Sequence, residues 1–314
     1  MGRQVPLLVD VDTGIDDALA LALATRSPET RILGVTTVAG NVPVELATDN
    51  TLRVLSWCGA ADIPVFRGAS RPLAAGFQDA AHVHGANGLG GAELPGPTRN
   101  VEELSAPQAI IQLAEAYAGE LVVVALGPLT NIAIALNLQP ELTTKVSSLV
   151  VMGGAFDVPG NVTSAAEFNI YADPHAAAHV LAAPWSSIVA VGLDVTHQTA
   201  LSRASWARIA EDAQGTEGLT RRILARTFTE RGMSGLYLHD PLALAVALDP
   251  SLISTEPCHV RVTFDGAERG QTRAENGGAV DVARRVRAAE FVQRVAQRLG
   301  LPPVELSGAL RSAE

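Results

Sequence analysis

Residues 7–17 read Leu7-Leu8-Val9-Asp10-Val11-Asp12-Thr13-Gly14-Ile15-Asp16-Asp17, an apolar run that ends in four carboxylates within eight positions. A run of Val and Leu bounded by a polar turn and followed by a helical pattern reads as a buried strand feeding a helix. Acids crowded at such a strand end repel one another unless a cation neutralises them. An oxygen-rich cluster of this kind suits a hard divalent ion, Mg²⁺ or Ca²⁺. One Asp at 16 or 17 is explained by helix capping and the helix dipole. Capping does not explain Asp10 and Asp12, two residues apart at the strand end.

Outward from this stretch, short Val/Ile/Leu runs alternate with helical runs. Strands are expected at Val5–Val11, Arg31–Val38, Ile63–Phe66, Leu121–Leu126, Leu149–Met152 and Ser187–Val191, and later near His259–Phe264 and Ala279–Val282. Helices are expected at Asp16–Arg26, Pro43–Cys58, Ala106–Tyr117, Pro128–Leu138, Pro174–Ala183 and Arg287–Leu299, with helical pattern prevailing from Ser202 to Leu248. Continuous apolar strands separated by helices imply an α/β fold: an open, mainly parallel twisted sheet with helices on both faces. No composition break or repeat divides the chain, so one domain over residues 1–314 is expected. Residues 67–101 are rich in Gly, Ala, Pro and His, too long for an ordinary connector, and read as a loop with a task. In open α/β sheets the site lies beyond the carboxyl ends of the strands.

Composition narrows the function. The net charge is −10 and basic residues are not clustered, which argues against nucleic-acid binding. Two cysteines, Cys58 and Cys258, make no disulfide framework and are expected to be buried thiols. The chain has no run of 18 apolar residues to span a membrane, and Met1-Gly2-Arg3 leads into the first strand without an apolar leader. A cytoplasmic location is the expectation.

Four further groups stand out. Leu238-His239-Asp240-Pro241 places an imidazole and a carboxylate at a helix start, with Pro suited to the first turn. Asn161 and Glu167-Phe168-Asn169 follow Met152-Gly153-Gly154; Glu and Asn two apart in extended chain face one side and suit sugar hydroxyls. His82-Val83-His84-Gly85 lies in the long loop, where a His could close over a substrate. Gly127-Pro128-Leu129-Thr130-Asn131 reads as a strand-to-helix turn, and Phe228, Met233, Tyr237 and Arg226 are candidates for an apolar pocket or for helix packing.

Two motifs compete for the acid cluster. An EF-hand loop counted from Asp10 needs Gly at its sixth position and an acid at its twelfth; Ile15 and Leu21 stand there, so it fails. A haloacid-dehalogenase-like Mg²⁺-dependent phosphatase also begins with an apolar strand and D-x-D, here Asp10 and Asp12, and wants a later Lys, for which only Lys145 is present.

Taken in order, Asp10–Asp17, Asn41, Gly127–Asn131, Met152–Gly154, Glu167–Asn169 and His239-Asp240 resemble the inosine–uridine-type nucleoside hydrolases, in the subgroup with a late His-Asp pair. The resemblance runs from residue 7 to about 250; Thr13 replaces a Pro usual in the family. It implies Ca²⁺-dependent hydrolysis of a ribonucleoside to base and ribose. Asp12, Asp17, Asp240 and the Leu126 carbonyl would hold the ion, and Asp12 would take a proton from water. Asp16, Asn41, Asn161, Glu167 and Asn169 would bind the ribose hydroxyls, with Asp10 behind them. His82 and His239 would lie by the base, with His239 the acid for the leaving group. A homodimer or homotetramer is implied by resemblance alone.

Overall fold

The computed structural model describes residues 4–303 apart from residues 75 and 77, so the ends of the expected 1–314 domain lie outside the described residues. The strands are β1 (Val5–Val11), β2 (Thr30–Thr37), β3 (Val65–Arg67), β4 (Val122–Ala125), β5 (Ser148–Met152), β6 (Ile188–Val191), β7 (Ala200–Ser202), β8 (Gly235–Tyr237), β9 (Ile253–Val262), β10 (Thr272–Asn276) and β11 (Val280–Val286). Among the described residues nine strands form one sheet in the order β10-β9-β11-β6-β5-β4-β1-β2-β3, and β7 pairs with β8 apart from it. From β3 to β11 neighbours run parallel; β9 and β10 add antiparallel edges.

Alternate strand residues enter opposite cores. Leu7, Val9, Val11, Val124, Val150 and Met152 pack on one face. Leu8, Val123, Ala125, Leu149 and Val151 pack on the other. That is the period of two expected of a pleated strand, with both faces covered. Helix Ile15–Thr25 is apolar nearly all round and is buried nearly all round. Helix Ala288–Leu299 buries only Phe291, Val292, Val295, Ala296 and Leu299, one stripe at helical spacing. Cys258 is buried, but Cys58 is only half-buried.

The sheet places the site. β1 lies between β2 and β4, so the strand order reverses there, and the crevice at its carboxyl end is where an open α/β sheet binds ligands. The strand ends are tied by Val38 donating to Val11 O (2.9 Å) and Leu126 donating to Asp10 O (2.8 Å).

Two expectations are corrected. The stretch from Ser202 to Leu248, where helical pattern prevails, consists of helices Arg203–Ala207, Gly215–Ile223, Ala225–Thr229 and His239–Leu248, with the unexpected strand β8 inserted. Gly215 and Gly232, both at positive φ, punctuate it. β10 has no counterpart in the sequence reading, because Thr-Arg-Ala-Glu-Asn lacks the apolar run of the interior strands.

Candidate active site

The acid turn is held by backbone donors. Asp17, in the first turn of helix Ile15–Thr25, accepts from the Asp12 N–H (3.2 Å) through Oδ1 and the Gly14 N–H (2.9 Å) through Oδ2. Asp12 accepts the Asn41 N–H (2.6 Å) and the Asn41 side-chain amide (3.2 Å), which also reaches Asp17 (3.1 Å). Gly14 has ordinary φ, so its role is space and not turn geometry: a Cβ there would collide with His84 and Asn41. Asp10 lies deeper, where its Oδ1 accepts from Thr36 (2.6 Å) and Asn131 (2.8 Å). Asn131 also donates to the Thr37 carbonyl and accepts the Ala69 N–H, both at 2.9 Å, so the turn at 127–131 is a tie beneath the site.

Asp240 joins from the start of helix His239–Leu248. One oxygen each from Asp16, Asp17 and Asp240 lie within 4.8 Å of one another. This trio has Asp16 where the resemblance placed Asp12. Burial, then its acidic neighbours Asp16, Asp17 and Asp12, holds the Asp240 carboxyl well above the ordinary range. Burial raises Asp12 in the same direction, with Asp17 adding to it. Asp16 and Asp17 are pushed up to about 6, mainly by burial, and Asp10 to about 7 for the same reason. Asp16 Oδ1 is buried without a hydrogen-bond partner among the described residues. A buried, oxygen-only cluster with an orphaned carboxylate oxygen fits a hard cation, and neutral proton-sharing is its alternative.

A cavity of about 630 Å³ opens over this floor, lined by Asp16, Asn41, His82, Leu126, Asn161, Glu167, Asn169, His239 and Asp240, among others. Nine of the twelve residues singled out in the sequence therefore meet at one surface, while Asp10, Asp12 and Asp17 lie beneath it. The Glu167 and Asn169 arrangement differs from the extended chain expected. Glu167 caps helix Phe168–Ala172, accepting from Asn169 N and Ile170 N, and also from Gly154 N. Burial pushes its carboxyl up to about 6. Asn169 donates to the carbonyls of Leu126 (2.6 Å) and Met152 (3.1 Å), and Asn161 accepts the Phe168 N–H (2.9 Å).

The histidines divide. His82 is exposed at the cavity wall, whereas His84 is buried. The Nδ1 of His84 accepts the Ile15 N–H (3.0 Å) and lies 4.0 Å from Asp16. Sequence reasoning favoured His82; His84 is distinguished by its contact with the Ile15 N–H, which no local pattern announces. Burial pushes His84 down to about 4 and His239 to about 3. Tyr237 and Met233 line the cavity. Phe228 instead packs on Trp206 (5.2 Å), and Arg226 pairs with Glu230 (3.5 Å).

The phosphatase alternative loses its cation. Lys145 precedes β5, at the end of the sheet away from the cavity, and pairs with Glu115 at 3.0 Å. Asp10, the first acid of its D-x-D pair, does not reach the cavity wall.

Known proteins point the same way. Residues 7–293 match the family described as inosine-uridine preferring nucleoside hydrolase. Uridine nucleosidase 1 of Arabidopsis thaliana is 38% identical over 283 residues, covering 88% of this chain and 84% of its own. A solved plant nucleoside hydrolase superposes with a TM-score of 0.89 at 34% identity, covering 95% of this chain and 99% of the other. A purine-preferring ribonucleoside hydrolase from Gardnerella vaginalis gives 0.88 at 34%, covering 94% and 98%. The chain belongs to the inosine-uridine preferring nucleoside hydrolase family, and its activity is that of a nucleoside hydrolase.

Proposed function

We propose that this enzyme hydrolyses ribonucleosides with Ca²⁺ as its ion and Asp12 as the base for water. The observation that carries the proposal is the meeting of Asp16, Asp17 and Asp240 at the floor of a cavity walled by Asn41, Asn161, Glu167 and Asn169. Asp17, Asp240 and the Leu126 carbonyl hold the ion. The remaining carboxylate is Asp12 by resemblance, although it is Asp16 whose oxygen lies within 4.8 Å of both other acids. Several carboxylates and a carbonyl suit Ca²⁺ better than Mg²⁺, which keeps more of its own water. When bound, the cation neutralises the acids and orients water and the ribose diol.

The chain supplies the rest. Asp16, Asn41, Asn161, Glu167 and Asn169 grip the ribose hydroxyls, which aligns C1′ with the water. Asp12, with a raised proton affinity and a fixed position beside Asn41, takes the proton as the water oxygen bonds to C1′. The surrounding carboxylates favour the positive charge of an oxocarbenium-like ribosyl. The C1′–N bond pair leaves with the base, which then gains a proton from solvent. His239 meets the base as a neutral imidazole, since burial keeps its pKa at about 3, and so acts as an N–H donor to the departing nitrogen heterocycle. His82 flanks the base from the loop. A role in nucleoside salvage, a cytoplasmic location and a homodimer or homotetramer complete the reading.

Free ribose measured from inosine and uridine, with Ca²⁺ and after chelation, tests it. Ribose release that depends on Ca²⁺ supports the proposal; release unaffected by exhaustive chelation overturns the calcium assignment.

A further inference from the structure

Thr196 lies at the end of helix Leu193–Thr196, just after β6, and is wholly buried. Among the described residues its hydroxyl has one hydrogen-bond partner, the Nδ1 of His239, at 2.7 Å. The same short segment supports His239 in two other ways. His197 stands edge-on to the His239 ring with centroids 5.7 Å apart and also packs on Tyr237 at 4.6 Å. Leu238 N–H donates to the Thr199 carbonyl (3.0 Å), and β7 pairs Ala200 with Tyr237. Residues 196–200 thus form a cradle for residues 237–239.

We propose that Thr196 is a positioning residue: its hydroxyl donates to Nδ1 of His239 and so keeps the ring proton on Nε2, turned toward the base. The physical reason is directional. A neutral imidazole carries one N–H, and the bond made by one nitrogen decides which nitrogen keeps it. A His with its proton on Nδ1 would present a lone pair to a departing base that already carries the bond electrons. It would repel the developing charge where a donor is required. The hydroxyl also fixes ring rotation, which an apolar side chain of equal size would not. This inference rests on the reading of His239 as donor to the leaving group.

The test compares wild type, Thr196→Val, Thr196→Ser and His239→Ala. Turnover is measured on inosine, on uridine and on p-nitrophenyl riboside, whose leaving group needs no donor. ¹⁵N spectra of histidine-labelled protein report the ring, with His239 assigned by its loss in His239→Ala. Thr196→Val is expected to lose about 10–100-fold in kcat on both nucleosides, by analogy with the loss when the hydrogen-bond partner of a metal-bound His is removed. It should leave p-nitrophenyl riboside nearly unchanged, and Thr196→Ser should restore most of the loss. In wild type Nε2 should carry the proton. Equal losses on all substrates, failure of Thr196→Ser to rescue, or a proton on Nδ1 in wild type overturns the proposal. If His239→Ala shows the substrate split and Thr196→Val does not, the Thr196 assignment falls alone. If His239→Ala slows every substrate alike, the donor role of His239 falls and takes the Thr196 assignment with it.

Discussion

The two ends of the cavity are built differently. At the ribose end, Asp12, Asp17 and Glu167 are gripped by backbone N–H groups from the turns after β1, β2 and β5 and from a helix start. At the base end, Tyr237, His239 and His197 are placed by ring packing, a hydroxyl and a two-strand ribbon. Backbone donors at strand ends are placed by the sheet itself, so the ribose end is tied directly to the core. Rings on short elements can be exchanged without disturbing the sheet.

Four experiments sharpen or break the contrast. The largest effect belongs to the ribose end. Asp12→Asn should cut kcat on every substrate, p-nitrophenyl riboside included, by about 10²–10⁴-fold, the usual worth of a general base. Calorimetric Ca²⁺ titration of Asp12→Asn beside Asp16→Asn decides which acid completes the ion site. Near-normal turnover in Asp12→Asn would move the base to another carboxylate. At the base end, His239→Ala should cost about 10²-fold on inosine and uridine and little on p-nitrophenyl riboside. A uniform loss there would erase the distinction between the two ends.

A third experiment tests the rigidity of the ribose end. Asn131→Ala strips a donor from buried Asp10 and from the Thr37 carbonyl, and an acceptor from the Ala69 N–H. Urea unfolding should show a loss of about 1–3 kcal/mol, the cost of leaving buried polar groups unpaired. No change would mean the tie beneath the acid turn is dispensable. The smallest effect is a control remote from both ends. Arg298 pairs with Glu29 at 2.8 Å, and that bond lowers the Glu29 pKa below its ordinary 4.5. A lowered folded pKa adds stability that is present above the unfolded value and is lost as pH falls through the folded one. Both side chains are about a quarter to a third exposed. Arg298→Ala should therefore cost less than about 1 kcal/mol at pH 7. Its melting curve should converge on wild type as the pH drops below the folded Glu29 value, and kcat should be unaffected.

The legible parts of this molecule were those whose cause is local. Val5–Val11 advertises a central strand by composition, and the acids after it betray the ribose end because charge crowding is visible without a structure. Asp240 was legible only through its neighbour His239 and the resemblance, since nothing local says that it meets Asp16 and Asp17. His84 was passed over for His82 because the choice depends on which imidazole reaches the Ile15 N–H, a contact across 69 positions. Asn131 read as a turn residue because its partner, Asp10, lies 121 positions earlier. Thr196 carried no sequence signal, as an isolated Thr after an apolar strand has many ordinary explanations. β7, β8 and β10 were invisible because short or polar strands lack the apolar run that marks interior ones.

The polarity that hid β10 has its own use. β10 is the last strand on one side of the sheet, and its outer residues Arg273, Glu275 and Asn276 are exposed. Arg273 pairs with Glu268 and Glu275 with Arg261, so charge lines that margin. At the other margin β3 is only three residues long, and Phe66 bridges to Glu102, which covers part of its free side. An open sheet with nine strands would otherwise offer two bare ladders of N–H and C=O groups to any other chain in a crowded solution. Charge at one border and brevity at the other work against edge-to-edge pairing of this sheet with another chain.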